Sequence, residues 1–146
     1  FRAQGSDQTL PAPYLVWGSL YRSWKLFVPP ALHIHELWPR FVPAGIVVSD
    51  FRLQSEKVIF KRGDKGAATG CTGYATYRLL PAHLCGDYGD VREGAEAVLH
   101  TLGAFAQFCG VGHHTAIGLG QARAIQDLQE VEGGVMTPRY RPVKMG

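Results

Sequence analysis

The sequence predicts an α+β, ferredoxin-like (RRM-like) domain that lacks its first strand. Three observations lead there. Two segments carry apolar residues at helical spacing, and β-rich segments with alternating faces lie between and after them. Their order, helix, strand, strand, helix, strand, is the βαββαβ arrangement without its opening strand. With 146 residues, 46% hydrophobic and 18% charged, the chain has the size and composition of one globular domain.

The first helix is expected over residues 14–27, where Val16, Leu20, Trp24 and Phe27 recur at helical spacing. Pro13 suits a first helical turn, and Pro29-Pro30 ends the run. Residues 31–43, with His33, His35, Trp38 and two prolines, suggest no regular structure. Residues 45–53 read as a strand with Val47, Phe51 and Leu53 on one face and Val48, Asp50 and Arg52 on the other. Polar residues 54–57 then read as a turn before Val58-Ile59-Phe60, a hairpin pattern. After a loop carrying Lys61, Arg62 and Lys65, residues 70–80 form the next strand, with Tyr74 and Tyr77 on opposite faces.

The clearest helix is expected over residues 94–109, with an apolar stripe through Ala95, Val98, Leu99, Leu102, Phe105, Ala106 and Cys109. Gly110 follows as a left-handed cap. A last strand is expected over residues 116–125, then an irregular basic tail over residues 133–146.

No apolar run reaches the roughly 18 residues of a membrane span, and nothing reads as a signal peptide, so a cytoplasmic location is expected. Cys71, Cys85 and Cys109 show no CxxC pair and no metal-ligand spacing; buried or idle thiols in a reducing compartment account for them. Neither a metal nor a cofactor is expected. The net charge of +3 permits an anionic partner without requiring one.

The most informative stretch is Gly110-Val111-Gly112-His113-His114-Thr115-Ala116-Ile117-Gly118-Leu119-Gly120-Gln121-Ala122-Arg123. Dinucleotide-binding glycines sit between a strand and a following helix; here the order is inverted, and no Walker-type ending appears. Glycines let backbone N–H groups approach phosphates, and the polar side chains between them can bond phosphate, ribose or base edges. A helix cap followed by a tight turn is the plainer reading of the same pattern.

This stretch is similar to the C-terminal glycine-rich signature of the RAMP superfamily, in its CRISPR repeat-processing endoribonuclease branch. Other segments agree in order. Phe1-Arg2 resembles the end of the family's TPTAFR-like strand. Leu10-Pro11-Ala12-Pro13-Tyr14-Leu15-Val16-Trp17-Gly18-Ser19-Leu20-Tyr21-Arg22-Ser23-Trp24 resembles its proline-led helix. Val47-Val48-Ser49-Asp50-Phe51 and Gly70-Cys71-Thr72-Gly73-Tyr74-Ala75-Thr76-Tyr77 resemble its next two strands.

The resemblance implies that residues 1–146 are the C-terminal ferredoxin-like RNA-binding domain of a two-domain RAMP protein, and the start at Phe1 without methionine fits a fragment. It implies contact with CRISPR repeat RNA by Gly110, Gly112, His113, His114, Thr115, Gly118, Gly120, Gln121 and Arg123. Relatives usually carry Arg or Lys where His113 and His114 stand, so the grip on phosphate is expected to be weaker or more pH-dependent. The first strand of this fold normally sits mid-sheet. An N-terminal domain or another chain is therefore expected to complete the sheet, and CRISPR effector subunits are further expected partners.

Family members cut repeat RNA without metal, directing a ribose 2′-OH onto the adjacent phosphate and leaving a cyclic phosphate and a 5′-hydroxyl. That needs a base, an acid and donors for the developing charge. In the family these residues usually come from the N-terminal domain, so none carries over. His33 and His35 are the local catalytic candidates, because an H-x-H pair in extended chain sets both rings on one side. Ordinary surface histidines are the plainer reading: there is no third ligand, and His35-Glu36 lacks the rest of HExxH. His83 and His100 read as loop and helix-surface residues. Trp17, Trp24 and Phe27 read as core before base-stacking rings. Lys61, Arg62, Lys65, Arg139, Arg141 and Lys144 either track phosphates or are solvated charge.

Two alternatives accompany the endoribonuclease reading. One is a non-catalytic RAMP subunit holding guide RNA in an effector complex. The other is a ferredoxin-like ligand-binding or assembly module.

Overall fold

The computed structural model describes residues 2–3, 6–59, 67–112, 115–117, 119–131 and 135–142. Helix α1 (Pro13–Phe27) begins with proline in its first turn and buries Val16, Trp17, Leu20 and Tyr21. It stops where Val28 turns extended ahead of Pro29, the conformation a following proline imposes. Phe27, expected in the apolar stripe, is 74% exposed. Trp24 is half-buried, its indole N–H donating to the Leu32 carbonyl at 2.9 Å.

Part of the segment expected to be irregular is a second helix, α2 (Trp38–Gly45). Pro39 falls in its first turn at no cost, while Pro43 removes one intrahelical bond. Burial outweighs that loss: Trp38, Phe41 and Val42 are fully enclosed. Trp38 and Phe41 pack together with centroids 5.4 Å apart. Gly45 is required beside them, since a Cβ there would overlap the Phe41 ring.

The chain then enters a long antiparallel hairpin, β3 (Ile46–Ile59) and β4 (Ala67–Leu79), in register from Ile46↔Leu79 to Ile59↔Ala67. Residues 54–57, expected to turn, continue β3; their polar side chains are exposed, and the ladder supplies the backbone pairing. A bulge between Val48 and Asp50 shifts the alternation. Ile46 and Val48 therefore share a face with Phe51 and Leu53, and Val47 falls on the other, unlike the regular alternation expected.

Helix α3 (Gly89–Cys109) starts before residue 94 and buries Val91, Ala95, Leu99, Leu102 and Ala106. The expected strand over residues 116–125 is instead a 3-10 turn (Thr115–Ile117) and a connection to β5 (Ala124–Val131). Part of the tail expected to be irregular forms β6 (Val135–Pro142), hairpinned onto β5.

The main sheet runs β3-β4-β6-β5. Strand β6 thus takes the place of the missing first strand, antiparallel to both neighbours, although its pairing with β4 is confined to Tyr77↔Tyr140. Residues at the start of the chain, expected to belong to this sheet, form a separate pair, β1 (Arg2–Ala3) with β2 (Ser6–Asp7). One core joins α1, α2 and α3 to Ala75 and Tyr77 of β4. The architecture is α+β and ferredoxin-like.

Candidate nucleic-acid interface

The glycine-rich stretch is a loop with a pinched neck. Helix α3 ends when the Gly110 N–H donates to the Ala106 carbonyl at 2.9 Å. Gly110 then adopts φ 69° and ψ 176°, a glycine-only region, so the expected left-handed cap has an extended ψ. A Cβ at Gly110 would lie 2.9 Å from Thr115 Cγ2. Val111 is buried, and its N–H donates to the Gly120 carbonyl at 2.7 Å. Gly120 has φ 72°, and a Cβ there would overlap the Val111 carbonyl oxygen. Gly110 and Gly120 therefore let two backbone segments close on each other.

The amides of Gly110, Val111 and Gly112 are consequently occupied by protein. The Gly112 N–H donates to Ser19 Oγ of α1 at 3.3 Å, a tether that sequence reasoning missed because the two residues lie far apart in the chain. The surface beyond the neck is more open: Ala116 is exposed, and Thr115 and Leu119 are half-buried. His113, His114 and Gly118 lie outside the described residues. Past the neck, Ala122 and Ala124 pack against the core while Gln121 and Arg123 are exposed, the alternation of an extended segment. A small apolar cavity of about 50 Å³ lies beneath, bounded by Trp17, Leu20, Tyr77, Ala106 and Val111.

Tyr77 fixes the approach to α1. Its hydroxyl donates to the Pro11 carbonyl at 2.6 Å, and its ring meets Trp17 edge-on with centroids 5.4 Å apart. Burial pushes its phenol well above the ordinary tyrosine range. Burial also raises the thiols of Cys71 and Cys109. Cys85 is buried, with Sγ 3.4 Å from the Pro81 carbonyl.

His33 and His35 are both exposed. His35 Nδ1 accepts from the Leu37 N–H at 3.1 Å, which leaves the proton of the neutral ring on Nε2. The pair precedes α2 in the chain. Among the described residues no three His, Cys, Asp or Glu side chains gather where they could hold a metal ion. Also among them, no helix is long and apolar enough to cross a membrane. Lys61, Arg62, Lys65 and Lys144 lie outside the described residues.

The family model for CRISPR-associated endoribonuclease Cas6 matches residues 1–122. None of the curated proteins compared with the chain matches it. Among solved structures, the product complex of Thermus thermophilus Cas6 (TTHB231) is 31% identical with TM-score 0.60, covering 78% of this chain and 40% of that one. The product complex of Cas6 (TTHA0078) is 28% identical with TM-score 0.65, covering 84% of this chain and 45% of that one. A substrate-mimic complex of Cas6 (TTHA0078) is 27% identical with TM-score 0.58 over 84% of this chain and 47% of that one. The chain spans less than half of each of these proteins. With the family model aligned along most of its length, this chain belongs to the CRISPR-associated endoribonuclease Cas6 family.

Proposed function

We propose that the chain is the RNA-binding portion of a metal-independent endoribonuclease that cuts precursor CRISPR RNA into guide RNAs in the cytoplasm. The observation that carries this reading is the necked loop in a Cas6-family chain, with exposed Gln121 and Arg123 beside the half-buried Thr115. Because the first amides of the loop bond to protein, phosphate contact falls to its outer part and to side chains, Arg123 foremost. Gly110 and Gly120 serve by shaping the neck. A guanidinium pairs with phosphate in two hydrogen bonds and keeps its charge at any working pH.

The base and acid for 2′-OH attack come from elsewhere in the intact protein. Strand β6 meets β4 at the single registered pair Tyr77↔Tyr140, and on this reading an N-terminal domain or another chain supports the sheet in the intact protein. Incubating the intact protein with repeat RNA in EDTA tests the reading. A single cut leaving a cyclic phosphate is expected. Binding without a cut supports instead a non-catalytic subunit that holds guide RNA, and absence of salt-dependent binding supports a module with no RNA role.

A further inference from the structure

Strand β3 is an edge of the main sheet, with β4 on one side and no strand on the other among the described residues. Sheets commonly protect such edges with bulges, proline or short length. The bulge of β3 lies before Asp50; residues 50–59 run in unbroken register with β4 and contain no proline. Every second residue there turns its backbone N–H and C=O outward. The fold also leaves side chains of this segment uncovered. Phe51 lies opposite Ala75 on the helix side of the sheet, yet it is 58% exposed, and Leu53 is half-buried. On the other side Arg52, Gln54 and Glu56 are exposed, and no hydrogen bond or ion pair engages Arg52 among the described residues.

Two identical strands pair antiparallel about a two-fold axis, and their outward groups meet only when that axis passes between the two copies of one residue. Charge decides which residue. An axis at Arg52 or Glu56 sets like charges face to face, and one at Leu53 sets Asp50 against Glu56. An axis at Ser55 leaves Arg52 against Val58. At Gln54, Arg52 of each copy meets Glu56 of the other, and no like charges face each other. The same register sets Leu53 opposite Ser55 and Phe51 opposite the Lys57 stem, so both apolar side chains gain cover.

We propose that β3 is a docking edge for a second copy of this chain, paired antiparallel about Gln54 into one continuous sheet. Two Arg52–Glu56 pairs on one face, and the covering of Phe51 and Leu53 on the other, fix the register. The pairing needs no RNA, so it stands or falls separately from the RNA-binding reading above.

Sedimentation equilibrium of the intact protein without RNA is expected to show a monomer–dimer equilibrium. Arg52→Glu or Glu56→Arg alone turns two attractive pairs into two repulsive ones and is expected to weaken the dimer roughly tenfold. The two substitutions together exchange the charges and are expected to restore it. A second measurement reads the axis directly. Gln54→Cys sets two thiols opposite each other and is expected to give a disulfide-linked dimer under mild oxidation. Val58→Cys, held far from its own copy in this register, is expected to give none. A monomer at every concentration overturns the proposal. So does a dimer that neither charge reversal weakens, one that the exchanged pair fails to restore, or one cross-linked as well through Val58→Cys as through Gln54→Cys.

Discussion

The Val111 N–H and the Gly120 carbonyl meet at 2.7 Å and close the glycine-rich loop at its base. Val111 anchors one side in the core, and Gly120 supplies a backbone geometry that no side chain tolerates without strain. The loop is thereby held at a fixed place between α3 and β5, tethered also to Ser19 of α1.

Gly120→Ala should open this neck. Positive φ and overlap with the Val111 carbonyl predict a loss of about 1–3 kcal/mol, read from urea unfolding. Gly94→Ala is the contrasting case. It lies exposed within α3 with nothing within 4 Å of the added Cβ, so a gain of roughly 0.5–1 kcal/mol is expected.

Phe41→Ala tests the origin of α2. With Phe41 fully buried against Trp38 and Tyr88, truncation should cost about 3–5 kcal/mol. A helix held by local propensity alone would lose far less.

Stability should fall in alkali. Burial raises the Tyr77 phenol above its ordinary 10.0, so the folded state favours the protonated form. That contribution is complete below pH 10.0 and declines as the pH rises from there toward the folded-state value. Tyr77→Phe should remove this alkaline dependence and lose about 1–3 kcal/mol at neutral pH, because the Pro11 carbonyl is left without its donor. Urea midpoints between pH 8 and 11 check both effects.

Arg123→Gln should weaken repeat-RNA binding and reduce the salt slope by about one, as expected for a single lost phosphate contact. Fluorescence anisotropy at several salt concentrations measures this directly.

The parts legible in the sequence were those whose apolar spacing reports burial. Helices α1 and α3 follow from such stripes, although Phe27 shows that a stripe can outrun the surface it packs on. Helix α2 was hidden because Pro43 opposes it locally while its stability comes from long-range enclosure of Trp38 and Phe41. Residues 54–57 were misread because an exposed hairpin has no buried face to impose alternation. Strand β6 depends on pairing with β5, which side-chain pattern does not report. At the loop, glycine content marked the place correctly, yet the partners of its first amides could be known only from the fold.

Ultraviolet cross-linking of repeat RNA to the intact protein, with the attached peptides identified by mass spectrometry, tests the central claim most directly. Cross-links within residues 112–123 are predicted. Cross-links confined to other segments, with that stretch left unmodified, would contradict the assignment of the loop.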